Sequence, residues 1–169
     1  MDSHIILGNL CTLLAMGANA VSSMQKTAKR ILRVQNLAQL IYCASAMILG
    51  GYSAAVQNAV SILRNIAAIR DIKSKVLEWS LVTAGVVLGI AFNNRGFMGL
   101  LPVLGNLLYT LVIFRFMDRE RLLKLAFLIS TASFLVFNIV ILNIVGAVSD
   151  SVVIVTTVVV LCRGMKKSE

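Results

Sequence analysis

Apolar residues gather in seven long runs, at about residues 5–22, 34–50, 53–69, 76–92, 97–116, 122–142 and 145–162. Each run approaches the roughly 20 residues that an α-helix needs to cross a hydrocarbon layer about 30 Å thick. None shows the apolar/polar alternation of an outer-membrane strand. Backbone groups placed in hydrocarbon must then be satisfied within helices. The pattern predicts an all-α integral membrane protein with seven transmembrane helices. The runs consume so much of the 169 residues that only short connections and tails are left. One membrane domain, residues 1–169, is expected.

Charge refines this picture by its placement. Lys26, Lys29, Arg30 and Arg33 lie between runs 1 and 2, and Arg70, Lys73 and Lys75 follow run 3. Arg115, Arg119, Arg121 and Lys124 surround the boundary of runs 5 and 6, and Arg163, Lys166 and Lys167 close the chain. The connections 2–3 and 6–7 carry none, and 4–5 carries only Arg95. Rich and poor connections alternate, so the positive-inside rule places the N-terminus outside and the C-terminus inside. The first run ends near Ala18-Asn19-Ala20, which imitates a signal-peptidase site, but Met1-Asp2-Ser3-His4 ahead of it has no Lys or Arg. A secretory signal is positively charged there, so this run is read as a retained span.

Composition agrees. Hydrophobic residues make up 59% of the chain and charged residues 14%, against about 25% charged in ordinary soluble domains. The net charge of +9 does not point to nucleic acid, because no solvated fold remains to carry a basic face. Cys11, Cys43 and Cys162 lie far apart inside apolar runs, and His4 is the lone histidine, so neither a disulfide framework nor a metal site is expected. A P-loop, a GxGxxG and an HExxH are all missing. No carboxylate pair sits in mid-membrane, so acid/base catalysis lacks its parts. The expectation is no enzyme and no cofactor.

The halves of the chain echo each other. Leu7-Gly8-Asn9-Leu10 recurs as Leu104-Gly105-Asn106-Leu107, Arg30-Ile31-Leu32-Arg33 as Arg121-Leu122-Leu123-Lys124, and Arg70 as Arg163, at offsets of 97, 91 and 93. A 3+1+3 layout follows, with residues 1–72 and 96–169 as two three-helix-bundle repeats and 73–95 as a linker helix. The odd linker helix turns the second repeat to face the same way as the first, which makes the repeats parallel.

Gly50-Gly51-Tyr52-Ser53-Ala54-Ala55, running into Ser61-Ile62-Leu63-Arg64 and ending at Arg70, resembles the second-to-third helix stretch of the YgjV-like bacterial inner-membrane protein family. Leu100-Leu101-Pro102-Val103-Leu104-Gly105 is similar to the motif opening that family's fifth helix. Phe134-Leu135-Val136-Phe137-Asn138 resembles its aromatic-x-x-His-Asn motif, and Arg163 its closing arginine. Phe137 stands where the family usually has His, Phe134 where it has Trp, and Ser61 where it often has Asn. The likeness covers about residues 25–165 and implies a multi-pass protein of the bacterial cytoplasmic (inner) membrane. The layout is also similar to SWEET, PQ-loop and PnuC-type transporters, which implies transport by analogy.

Polar residues inside the runs are the candidate site, since such groups turn toward a bundle interior or a wet cavity. Gln57, Asn58, Ser61, Arg64 and Asn65 share one helical face of run 3. Asn9, Asn106, Tyr109 and Asn138 join them from runs 1, 5 and 6. Asn58, Ser61, Asn106 and Asn138 are the leading pocket residues, followed by Arg64, Gln57, Tyr109 and Asn9. Asp150, near the start of run 7, reads as a solvated helix-start acid, and Asp71 as a surface partner of Lys75. The expected partners are the bilayer, a small polar solute and a second copy of the chain. The expected activity is facilitated passage of that solute by alternating access. The competing reading is a non-transporting receptor, scaffold or subunit, whose polar residues would merely hold helices together.

Overall fold

A computed structural model of the chain describes residues 2–23, 25, 28–72, 74–116 and 119–165. Lys26, Lys73, Lys166 and Lys167, whose charges entered the assignment of sides, lie outside them, as does the side chain of Arg163. The described residues form seven α-helices and no strand: α1 (Ser3–Ser23), α2 (Ala28–Ile48), α3 (Tyr52–Ile69), α4 (Lys75–Ala91), α5 (Leu101–Phe116), α6 (Glu120–Val140) and α7 (Ile144–Met165). A 3-10 turn at Gly96–Leu100 leads into α5. Ser3–Ser22, Lys29–Ile48 and Gly96–Phe116 are long and apolar enough to cross a membrane on length and composition alone. Lys124–Val140 and Ile144–Val159 are shorter apolar helices. In α3 it is the polar face that lowers the hydropathy.

α2 starts six residues ahead of its apolar run and carries Lys29, Arg30 and Arg33 on its first turns. Lys and Arg are good helix formers, and their long stems let the heads reach water from a helix end. Asp71 pairs across helices with Lys29 of α2, at 2.7 Å, instead of with Lys75. Residues 70–72 form a turn with Asp71 at φ 56°, so the helical i, i+4 geometry does not exist there.

Each helix packs on its successor in sequence. α3 also meets α5 directly, and α7 closes on α1. The result is a ring of six helices, with α4 outside it against α3 and α5. The helices alternate in direction. The Lys29–Asp71 pair and the stacking of Arg115 on Trp79, 5.5 Å from the ring centroid, mark one end. The α2–α3, α4–α5 and α6–α7 connections mark the other.

The burial is inside-out for a soluble protein. Val76, Phe97, Leu14 and Val155 are 62–77% exposed, while Thr12, Ser45, Ser53 and Gln57 are at most 2% exposed. Apolar surface this extensive marks contact with lipid or partner. Thr12 and Ser45 spend their hydrogen bonds within α1 and between α1 and α2, and Gln57 spends its own on α4 and α5. Ser45 Oγ donates to the Gly8 carbonyl at 2.7 Å and lies 2.7 Å from Thr12 Oγ1.

Arg95, which lies among the connections at the cation-poor end of the bundle, has a structural duty. α2 ends in a turn with Gly50 at φ 69°, which glycine adopts without strain. The freed carbonyls of Leu49 and Gly50 accept from Arg95 Nη2 at 3.3 Å and Nε at 3.2 Å, and Gly50 also accepts from Asn94 Nδ2 at 2.8 Å. Arg95→Ala is expected to cost about 1 kcal/mol, read as a lower melting temperature in detergent. Arg95→Lys should not restore it, because lysine lacks the fork that holds both carbonyls.

Candidate functional site

The ring encloses a cavity of about 260 Å³. At about 30 Å³ per water this is room for roughly nine waters. All six ring helices line it and α4 does not. α3 contributes Ala54, Asn58, Ser61 and Arg64, and α5 contributes Asn106 and Tyr109. Asn138, Thr131 and Ser130 come from α6, Ser149 and Asp150 from α7, Gln39 and Tyr42 from α2, and Asn19 from α1. From Ala54 to Arg64 the lining runs about 15 Å along α3, at about 1.5 Å per residue.

Of the eight residues expected at a site, Asn58, Ser61, Arg64, Asn106, Tyr109 and Asn138 line this one cavity. Arg64 Nη1 donates to Thr110 Oγ1 at 3.1 Å and to Asn106 Oδ1 at 3.4 Å, and its guanidinium carbon sits 5.6 Å from the Tyr109 ring centroid. Gln57 does not line the cavity. It is wedged toward α4, where Nε2 donates to the Gly85 carbonyl at 2.8 Å, while Oε1 accepts from Asn106 Nδ2 at 2.8 Å. The single polar face of α3 thus splits, since the linker helix covers one flank and the cavity opens on the other. Asn9 does not line it either. Its Nδ2 donates to the carbonyls of Ile5 at 2.9 Å and Leu142 at 3.0 Å, and its Oδ1 accepts from Val145 N–H at 2.9 Å. Asn9 fastens α1 to the α6–α7 connection.

Asp150 departs from its expected place. It is the seventh residue of α7, nearly two turns inside the helix, and faces the cavity. Asn138 Nδ2 donates to its carboxylate at 2.8 Å, Asn138 Oδ1 accepts from Asn143 Nδ2 at 3.1 Å, and Asn143 Oδ1 accepts from Gly146 N–H at 3.1 Å. Tyr42 and Asn19 also line the cavity. Asn19, Gln39, Tyr42 and Asp150 were visible in the sequence as polar residues in apolar runs. What set them apart was convergence, which no single helix displays. Among the described residues no group of three His, Cys, Asp or Glu is placed to hold a metal.

The lining has an internal order. Gln39, Tyr42, Ala46, Ala54, Asn58 and Ser61 all line the cavity, and so do Thr131, Phe134, Asn138, Gly146, Asp150 and Val153. Each residue of the second set stands 92 positions after its counterpart in the first. The turns between them follow suit. Gly50 N–H donates to the Met47 carbonyl at 3.1 Å and Gly51 N–H to that of Ala46 at 2.7 Å. Leu142 N–H donates to Ile139 at 3.2 Å and Asn143 N–H to Asn138 at 2.8 Å, again 92 positions on. Gly50 and Leu142 both have positive φ, 69° and 59°.

The two Leu-Gly-Asn-Leu motifs are used alike as well. A Cβ on Gly8 would lie 2.5 Å from Leu49 Cγ of the α2–α3 connection, and one on Gly105 would lie 3.2 Å from the Ser130 backbone of α6. Each glycine therefore lets the next helix in close, while the asparagine after it reaches the neighbour on the other side. Gly105→Leu is expected to force α5 and α6 apart, at about 1–3 kcal/mol for overpacking. The readout is a lowered melting temperature in detergent.

At the end where the α2–α3 and α6–α7 connections lie, the cavity is bordered by an apolar cluster. Ala46, Leu49, Ala54, Ala55, Phe137 and Ile141 form it, with Ile5, Cys43 and Phe134 packed around them. Phe137 is fully buried at its centre. At the opposite end the last cavity residues are Asn19, Arg64, Tyr109 and Phe127.

A family model described as bacterial inner membrane protein, Imp-YgjV, matches residues 6–168. No curated protein and no solved structure matches the chain.

Proposed function

The chain belongs to the Imp-YgjV family and is a bacterial inner membrane protein, and on that premise we propose that it carries a small polar solute across that membrane. All seven helices span, with the N-terminus outside and the C-terminus inside, because the cations cluster at the end marked by Lys29–Asp71 and Arg115–Trp79. The observation that carries the transport reading is the paired lining, six positions of α2–α3 matched by six of α6–α7 at a constant separation. A cavity on the axis of two like units is where repeat transporters bind their cargo.

α1–α3 form one unit and α5–α7 the other. Among the described residues their helices pack at two seams, α3 with α5 and α7 with α1, and the apolar cluster around Phe137 joins the units at one end. Rocking one unit about these seams opens the cavity to alternate sides. We read the apolar cluster around Phe137 as the gate on the outer side. Asn58, Ser61, Asn106, Tyr109 and Asn138 offer the solute amide and hydroxyl partners, and Gln57 links Gly85 of α4 to Asn106 of the second unit.

Two measurements test this. Reporter tags at the two termini should appear in different compartments, and tags in the same compartment end the seven-span topology. A thermal-shift screen of purified protein against metabolites should give specific stabilisation, by about 2.7 kcal/mol at a hundredfold excess over Kd. Asn58→Ala should abolish it, and the stabilising solute should exchange across proteoliposomes. Stabilisation that survives substitution of every cavity residue named here would overturn the site. Binding without flux would overturn transport.

A further inference from the structure

Two charges face this cavity from opposite units, and each has only neutral partners. Arg64 of α3 is held by Thr110 and Asn106 and stacks on Tyr109. Asp150 of α7 is held by Asn138. Among the described residues neither has an opposite charge within salt-bridge distance. A charge kept inside a membrane domain is costly, and such residues are commonly paired with one another or reserved for cargo. Here they are kept apart. Asp150 is the counterpart of Asn58, which puts the two at like depth on facing walls. Arg64 lies six residues further along α3 than Asn58, about 9 Å deeper at about 1.5 Å per residue.

The lining offers a further acceptor besides Asp150. Gln39 also lines the cavity, and its buried Oε1 accepts no hydrogen bond among the described residues. Buried polar atoms are ordinarily satisfied, and an ammonium carries three donors. Arg64 itself brings several N–H donors, and a guanidinium matches a carboxylate two bonds at a time. The rings of Tyr109, Phe127 and Phe134 also line the cavity, with Tyr109 against Arg64.

Resting on the transport reading of this cavity, we propose that its cargo is a small zwitterion, bound with its carboxylate on Arg64 and its ammonium on Asp150. Binding neutralises both buried charges at once. A singly charged or neutral solute of the same size leaves one or both exposed to the low-dielectric interior.

The test is binding to the purified full-length protein in nanodiscs, using ω-amino acids of two to six carbons. The matching monocarboxylates and alkylamines of equal length serve as controls. One chain length should bind at least tenfold more tightly than both of its singly charged analogues, and that length reads out the charge spacing. Asp150→Asn keeps the shape and the contact with Asn138. It should erase the preference over the monocarboxylate while leaving carboxylate binding in place. Arg64→Gln should erase the preference over the amine. A melting transition retained in both variants shows that they fold.

Equal binding of zwitterions and singly charged analogues by the wild type overturns the proposal, and so do unchanged preferences in both variants. If a neutral metabolite from the screen is bound and moved instead, the zwitterion proposal falls and transport stands. If zwitterions bind selectively but never cross proteoliposomes, the ligand assignment stands and transport falls.

Discussion

Phe137→Ala is expected to open the cavity toward the outside and to cost about 3–5 kcal/mol, the usual range for a buried phenylalanine truncated in a core. Phe137 is fully buried, and its ring touches the backbone of the α2–α3 turn. A Cβ on Gly51 would lie 3.0 Å from the ring. Phe137 packs with Ile141, Ala54 and Leu49 in one apolar cluster. Its removal is best read by accessibility. With Cys11, Cys43 and Cys162 replaced, Ser61→Cys places one thiol in the cavity. A membrane-impermeant thiol reagent added outside intact cells should label it slowly behind the native Phe137. In the Phe137→Ala background the labelling should be at least tenfold faster, whereas Phe137→Leu should keep the barrier closed. Equal labelling rates in all three backgrounds would mean that this cluster does not seal the cavity.

Much of this architecture was legible in the chain. Seven apolar runs became seven helices, because run length against bilayer thickness is a coarse and forgiving rule. The polar face of α3 and Asn106, Tyr109 and Asn138 also stood out, since polar groups in apolar runs have few places to go. What was not legible was direction. Gln57 and Asn58 are adjacent, yet one turns to α4 and the other to the cavity, because the linker helix covers half of that face.

The surroundings of Asp150 were hidden for a related reason. Seven residues into a helix, a carboxylate faces lipid, water or a cavity according to which helices stand opposite, and those helices lie far away in the chain. The likeness of the halves shows in the motifs only at the shifting offsets of 97, 91 and 93. It is regular, at 92 across α2–α3 and α6–α7, once cavity lining and turn hydrogen bonds are compared. Tyr42 and Phe134, and Asn58 and Asp150, hold matching places in the lining with different side chains.

The asparagines of the two Leu-Gly-Asn-Leu motifs give the other large expected effect. Each fastens one of the two seams between the units. Asn106→Leu leaves Gln57 Oε1 without its donor and takes an acceptor from Arg64 at the α3–α5 seam. Asn9→Leu strips Val145 N–H and the Leu142 carbonyl of their partners at the α7–α1 seam. Leucine is close in size, so the loss is mainly that of satisfied polar groups. An interhelical hydrogen bond in a membrane protein is worth about 0.6 kcal/mol on average, but an orphaned buried group costs about 1–3 kcal/mol. The second effect wins here, because the Gln57–Asn106 bond is buried and the bonds of Asn9 are partly buried. Each variant is therefore expected to lose about 1–3 kcal/mol in reversible unfolding. The double variant should lose the sum to within about 0.5 kcal/mol, as distant sites without shared partners do. If the units rock about these seams, both variants should also change the rate of solute exchange without changing the affinity for the zwitterion equally. Asn106 touches the cavity and Asn9 does not, so Asn9→Leu should alter exchange while leaving binding intact. A fall in affinity for Asn9→Leu as large as that for Asn106→Leu would show that the seams are not separate from the site, and the two-unit mechanism would fail with them.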